Sequence, residues 1–438
     1  MQTEIVLKTV KEKGIKYIHL QFMDILGQVK SVMIPHIMLE KAMNEGIVFD
    51  GSSIVGYATI DESDMRAVPD PSTFQIKHDD PKTATIICDI YMPSGKRFEG
   101  DPRFVLQKVL KKAEERGYKF VTGPEFEFFL FKMEDGKPVL QPNDYGGYFD
   151  FGPIDQGEAV RKEILGIFSE QGYMPEAAHH EVAPGQHEID LRYDYALTIA
   201  DRILTLKATI KDVAIRHGLF ASFMPKPIFG VNGNGMHVHQ SLLSLDCQEN
   251  MFYDPDSRWE LSDIALYYIG GLIYHAKEIS AVLNSWVNSY KRLVPGYEAP
   301  VYISWANLNR SALIRVPAGR GIKTRVELRN PDPAGNPYLQ FAVMLGAGLD
   351  GIERKIEPPE PIELNIYALT PEEKERLGIH SLPESLGEAL YHMERSELVQ
   401  KILGDHIFRH FIVVKRREWH EYRAQITRWE IEKLLPIL

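Results

Sequence analysis

Residues 119–131 read K-F-V-T-G-P-E-F-E-F-F-L-F, a strand-length run crowded with aromatic and aliphatic side chains. Alternation along a strand puts Glu125 and Glu127 on one face, and Phe126 and Phe128 on the other. Two carboxylates on one face of a core strand repel each other and lose their water, which is costly unless cations neutralise them. A plainer reading is the solvated face of an edge strand, but the pattern recurs. In H-H-E-V-A-P-G-Q-H-E-I-D (179–190), a turn separates Glu181 from Glu188. In N-G-N-G-M-H-V-H-Q (232–240), His237 and His239 share a face opposite Met236 and Val238. In T-R-V-E-L-R (324–329), Arg325, Glu327 and Arg329 share a face opposite Val326 and Leu328, and Arg310 and Arg315 flank Ala312-Leu313-Ile314.

Taken singly, H-x-H is commonly a pair of sheet histidines and R-x-E-x-R a salt-bridge ladder. If these strands sit side by side, their polar faces line one cavity with five glutamates, two histidines and several arginines. Carboxylate and imidazole suit Mg²⁺ or Mn²⁺ better than soft metals, and five glutamates exceed the needs of one ion. Arginines beside metals point to an anionic substrate, phosphate above all. No G-x-x-x-x-G-K-[ST] phosphate loop occurs. The residues therefore read as a metal-dependent enzyme acting on phosphate or another anion; transferase, ligase and hydrolase all remain open.

The elements that must position these groups follow from patterning. At 438 residues the chain is long enough for two or more domains. An excess of 61 Asp+Glu over 50 Lys+Arg argues against generic binding to nucleic acid or to an anionic membrane. Cys88 and Cys247 are too few for a disulfide framework and fit a reducing cytoplasm; the N-terminal M-Q-T-E-I-V-L-K lacks a signal-peptide core, and no apolar run is long enough to span a bilayer. A helix over 1–14, a hairpin through 34, a short helix ending at Gly46 and a strand over 83–91 predict a small α+β domain. Residues 93–100 are the best linker, and Asp101-Pro102 opens a helix closed by Gly117. Helices are predicted over 159–171, 195–217 and 261–284. Trp419, Tyr422, Ile426 and Trp429 recur at helical spacing before an apolar tail that should pack on its own domain or a neighbouring subunit.

The wording of these motifs resembles bacterial type I glutamine synthetases, in their short, alpha-type form, over nearly the whole chain. The matching strings include F-D-G-S-S-I (49–54), G-P-E-F-E-F-F (123–129), H-H-E-V-A-P-G-Q-H-E (179–188), K-P-I-F-G-V-N-G-N-G-M-H-V-H-Q-S (226–241), N-S-Y-K-R-L-V-P-G-Y-E-A-P (288–300), N-R-S-A (309–312) and R-V-E-L-R-N-P-D-P-A-G-N-P-Y-L (325–339). The resemblance implies an α+β protein: a β-grasp domain over 1–100, then a larger catalytic α/β domain over 101–438 on a curved, mainly antiparallel sheet, with a C-terminal helical tail. It implies a cytoplasmic dodecamer of two stacked hexameric rings that joins ammonium to L-glutamate with ATP, through γ-glutamyl phosphate.

Carried over residue by residue, the resemblance assigns Glu127, Glu181 and Glu188 to one divalent ion, and Glu125, His237 and Glu327 to a second beside the ATP phosphates. Glu176, His239, Ser241, Arg315 and Arg325 are expected to contact ATP, with Arg315, Arg325 and Arg329 neutralising the transferred phosphoryl group. Glutamate falls to Asn232, Gly233, His237, Arg292, Glu298, Arg310 and Arg329. Asp50, supplied by the adjacent subunit, would bind ammonium and take its proton; read without the resemblance it is a simple turn carboxylate. Glu298 lies on a flap that would exclude water. Two positions depart from the long bacterial form. The loop 316–323 differs in length, leaving Arg320 and Lys323 as rival phosphate contacts. Asn365-Ile366-Tyr367-Ala368-Leu369 resembles an adenylylation loop whose accompanying insertion is missing, so Tyr367 is expected to stay unmodified. Two rival readings are a ligase that glutamylates a larger amine and an idle assembly on the same fold. Asp50 and Glu298 match the ammonia-using pattern, and none of the ligand carboxylates is lost. Family members also bind transcriptional regulators, but no stretch of this chain singles out such a surface.

Overall fold

The alternation of Ile18, Leu20 and Phe22 becomes the strand Tyr17–Met23, which pairs antiparallel with Val29–Pro35. Asp24 shapes the turn between them, its Oδ1 accepting from the backbone N–H groups of Leu26 (3.0 Å) and Gln28 (2.9 Å). In the computed structural model, which describes residues 2–57 and 64–438, the other edge of Tyr17–Met23 runs parallel to Thr83–Tyr91. Asp64–Pro69 and Ile47–Asp50 complete that side of the sheet. Helix Gln2–Lys13 adds Val6 and Val10 to a core holding Leu20, Ile86 and Ile90. This is a β-grasp domain.

Asp101 caps the next helix, Pro102–Glu114, by accepting from the Arg103 N–H at 3.0 Å, and Gly117 follows it at φ +86°. The motif-bearing run then forms the strand Tyr118–Glu134, the spine of a ten-stranded sheet among the described residues. Met236–Ser244 flanks it on one side, followed by Val326–Leu328, Ile314–Val316 and Trp305–Asn307; Gln186–Leu191 and Pro175–His180 lie on the other. Pairing along this path is antiparallel except at Trp305–Asn307 with Ile314–Val316, and the sheet curls into a half-barrel. Phe126 and Phe128 are fully buried on the face towards the helices, Phe126 meeting Phe223 edge-on at 5.3 Å. Burying each such ring stabilises the fold by about 1.5–3 kcal/mol. The glutamates between them are thereby committed to the concave face.

The structure differs from the pattern reading at two helices. The helix expected over 261–284 is two, Asp263–Tyr274 and Ala276–Leu283, broken at His275. The His275 ring is held from both sides, by Glu278 Oε2 at 2.8 Å and Asp350 Oδ2 at 2.7 Å. The terminal helix ends at Arg423, and a new one, Arg428–Leu434, starts from a Thr427–Glu430 capping box. Trp429, Leu435 and Leu438 beyond the break are exposed. Within helix Pro337–Arg354, Gly346 to Gly351 spell G-x-G-x-x-G, but mid-helix. A Cβ at Gly351 would lie 2.2 Å from the Tyr267 carbonyl and one at Gly348 would lie 2.0 Å from the Tyr268 ring. The spacing serves helix packing, not a phosphate.

Arg103 ties the two domains together. Its buried guanidinium reaches Asp89 (2.6 Å) and Asp70 (2.8 Å) of the first domain and Asp201 (2.9 Å) of the second, where the Tyr338 hydroxyl also donates. Removing one partner of such a network strands the others. Arg103→Met is expected to lower unfolding stability by about 3–5 kcal/mol in a denaturant titration, whereas a loss below about 1 kcal/mol would leave the network without weight.

Candidate functional site

Strand register builds the site. Arg315 faces Glu327, which faces His239; His237 faces Glu125, which faces Asp190; Glu127 faces Glu188, which faces His179. Three polar rungs thus cross the concave face, contributed by separate stretches of chain. They line a cavity of about 640 Å³ whose wall includes Glu125, Glu127, Glu181, Glu188, His237 and Glu327. Asn232, Gly233, Arg292, Glu298, Arg310, Arg315 and Arg329 line it as well.

Glu127 is buried and fixed, its Oε2 accepting from Gly235 N–H and Gln186 Nε2, both at 2.8 Å. Glycine is required at 235, because a Cβ there would lie 2.5 Å from the Arg292 guanidinium. That guanidinium is itself spent on the carbonyls of Arg329, Asn330 and Pro331. Glu327 has Arg315 Nε at 2.7 Å, Arg329 Nε at 3.3 Å and His237 Nδ1 at 3.9 Å. Its Oε2 is nevertheless buried without a hydrogen bond of proper geometry.

Electrostatics expose the tension. Burial, with Glu181 and Glu188 nearby, pushes the Glu127 pKa well above the carboxylate range, and burial with Asp190, Glu125 and Glu181 does the same to Glu188. Asp190 rises to about 6 through burial and Glu125. At Glu125 burial also pushes upward, but hydrogen bonds from His237 (2.9 Å) and His239 (2.8 Å) win and hold it well below. Carboxylates that resist joint ionisation are what divalent cations neutralise. Glu125, His237 and Glu327 offer donor atoms within 4.8 Å of one another, and so do His179, Glu188 and Asp190. The donor chemistry fits hard divalent ions. Glu127 and Glu181 share the wall with Glu188, while the tighter cluster around Glu188 uses His179 and Asp190. Sequence reasoning passed over both, although Glu188-x-Asp190 repeats the i, i+2 signal of Glu125-x-Glu127.

A second cavity, about 340 Å³, adjoins the first through Glu125 and Asp190. Glu176, His239, Ser241 and Arg325 line it, with an apolar wall of Val121, Leu191 and Leu243. Arg325 Nε donates to His239 Nδ1 at 3.2 Å, so His239 presents its other nitrogen, protonated, to Glu125. Ser241 Oγ donates to the Thr324 carbonyl at 3.0 Å. Arg315 belongs to the first cavity instead, beside Glu327. Of the rival residues on the 316–323 loop, Arg320 is occupied by the Trp259, Pro317 and Gly319 carbonyls and Asn307, while Lys323 lines this second cavity. Tyr193, which the sequence reading did not single out, lines it too.

Glu298 overhangs the first cavity at φ +57°, a strained backbone for a non-glycine residue, with Asn232 Nδ2 donating to its Oε2 at 3.1 Å. Asp50 ends the strand Ile47–Asp50, is exposed, and does not line its own chain's cavity; its carboxylate accepts from Ser52 N–H and Oγ, which lowers its pKa. The Tyr367 hydroxyl donates to the Ala299 carbonyl at 2.6 Å, and its half-buried ring packs against Tyr302. Intact-protein mass spectrometry of nitrogen-replete cells is therefore expected to find no AMP adduct on Tyr367, and such an adduct would refute this.

A β-grasp sheet followed by a curled antiparallel sheet places an acid-lined concave face, with donor clusters fit for divalent cations, beside a second cavity. The glutamine synthetase catalytic-domain family matches residues 99–434, and the glutamine synthetase β-grasp family residues 14–93. The chain is 52% identical over 439 residues to a glutamine synthetase of Methanosarcina mazei, covering 99% of this chain and 98% of that one. A glutamine synthetase of Thermotoga maritima is 49% identical over 440 residues, covering 99% of this chain and all of the other. A solved GmaS/ADP complex superposes with a TM-score of 0.90 at 34% identity, covering 98% of this chain and 99% of that chain. The chain belongs to the glutamine synthetase family.

Proposed function

We propose that this chain is a glutamate–ammonia ligase that forms L-glutamine, ADP and phosphate from L-glutamate, ammonia and ATP. The observation carrying this reading is the register that brings Glu125, His237 and Glu327 together in a cavity continuous with a second one suited to a nucleotide. A γ-carboxylate oxygen of glutamate attacks the γ-phosphorus of ATP, and ADP leaves. Ammonia nitrogen then attacks the acyl carbon, and phosphate leaves with the acyl oxygen.

ATP lies in the second cavity, with Glu176, His239, Ser241 and Arg325 around it and Lys323 at the phosphates. Glutamate lies in the first, against Asn232, Gly233, His237, Arg292 and Arg310. Arg315 and Arg329 face the transferred phosphoryl group, where cationic donors stabilise developing charge. Glu125, His237 and Glu327 hold one divalent cation, and Glu127, Glu181 and Glu188 another. Mg²⁺ or Mn²⁺ held there supplies charge neutralisation and polarisation of the phosphates. Asp50 from an adjacent subunit binds ammonium and takes its proton. Glu298 closes the site against water. The assembly is a cytoplasmic dodecamer of two hexameric rings, and the exposed apolar tail packs on a neighbouring copy.

The test is product formation by the purified chain with ATP, glutamate and Mg²⁺ or Mn²⁺, offering ammonium in parallel with methylamine, ethylamine and ethanolamine. Glutamine from ammonium as the preferred product is expected. Preferential turnover of a larger amine, or ATP cleavage with no amide formed, would contradict the reading.

A further inference from the structure

Lys226 is a lysine only 9% exposed, and among the described residues no carboxylate lies within ion-pair distance of it. Its backbone is fixed twice to Asn288, whose Oδ1 accepts from the Lys226 N–H at 2.7 Å and whose Nδ2 donates to the Lys226 carbonyl at 3.1 Å. Its ammonium donates to the Val231 carbonyl and lies 3.7 Å from the centroid of the Tyr297 ring. With one carbonyl and no carboxylate as partner, the ammonium gains further from the face of that ring. Tyr297 precedes Glu298 on the flap, between Gly296 at φ +96° and the strained Glu298. Pro295, Gly296 and Glu298 are exposed; besides the Lys226 contact, the loop is held by Asn232 at the Glu298 side chain and by Tyr367 at the carbonyl of the buried Ala299.

We propose that Lys226 latches the flap: its ammonium, held on a rigid post, grips the Tyr297 ring and keeps residues 295–299 over the acyl phosphate. Lys226 and Tyr297 are positioning residues in this scheme, which rests on the ligase reading above. When the flap opens early, a water oxygen attacks the acyl carbon of γ-glutamyl phosphate. The carbon–oxygen bond to phosphate breaks, and glutamate and phosphate are released without glutamine. The net change is ATP hydrolysis, so loss of the latch uncouples phosphate release from amide formation.

The experiment measures phosphate released per glutamine formed at saturating ATP and glutamate with limiting ammonium. Wild type should give a ratio of about one. Tyr297→Leu and Lys226→Met should raise it by about threefold to tenfold, the change in open-flap population produced by losing one cation–π contact. Tyr297→Phe keeps the ring and Lys226→Arg the charge, so both should keep the wild-type ratio. Tyr297→Leu alters only the flap side of the contact and gives a result even where Lys226→Met fails to fold. A ratio in Tyr297→Leu equal to wild type, or equal uncoupling in Tyr297→Phe, overturns the latch. Wild type that forms no glutamine overturns the ligase reading itself, and the latch with it.

Discussion

Glu327→Ala is expected to lower ATP-dependent glutamine formation by about a thousandfold or more while the protein still folds and assembles. Glu327 is 2% exposed, and three cationic or donor groups converge on it: Arg315, Arg329 and His237. It also contributes one of the three donor atoms of the Glu125–His237–Glu327 cluster. Alanine would remove that ligand and leave two arginines without their shared counter-charge, so affinity for a divalent ion and placement of the phosphoryl group fail together. Far-ultraviolet circular dichroism and size-exclusion chromatography separate this from unfolding. A folded, assembled Glu327→Ala protein with activity within about tenfold of wild type would remove the residue from the chemistry.

The second large effect concerns Asp50, whose carboxylate lies outside its own chain's cavity. Asp50→Ala alone should be nearly inactive with ammonium, as should Glu327→Ala alone. When equal amounts of the two variants are dissociated and reassembled together, a fraction of interfaces pairs an intact Asp50 with an intact Glu327 on the neighbour. Random mixing gives one half times one half, so recovery to about a quarter of wild-type activity is expected. No recovery in well-mixed oligomers would mean that Asp50 does not complete a neighbour's site.

The chemistry-bearing residues were legible because strand alternation is local: G-P-E-F-E-F-F commits Phe126 and Phe128 to the core, and Glu125 and Glu127 to the other face. Register is not local. That Asp190 lies opposite Glu125, and Arg315 opposite Glu327, depends on how distant strands pair, and no spacing within one segment states it. His179 and Asp190 therefore stayed unassigned, and the direct pairing of Arg315 with Glu327 is visible only in the folded sheet. Helical periodicity likewise runs smoothly through His275, where a tertiary contact with Asp350 accompanies the break. Past Arg423, apolar spacing continued while the Thr427 cap restarted the helix. The role proposed for Asp50 came from resemblance alone, since within one chain its carboxylate lies outside the cavity.

The most direct test of a concave face whose acid lining is balanced by bound cations is anomalous diffraction from crystals grown with Mn²⁺ and a nucleotide. Two peaks are expected in each first cavity, one bonded to Glu125, His237 and Glu327, the other to Glu127, Glu181 and Glu188. Manganese absent from both clusters, or bound only to surface carboxylates, would contradict the account.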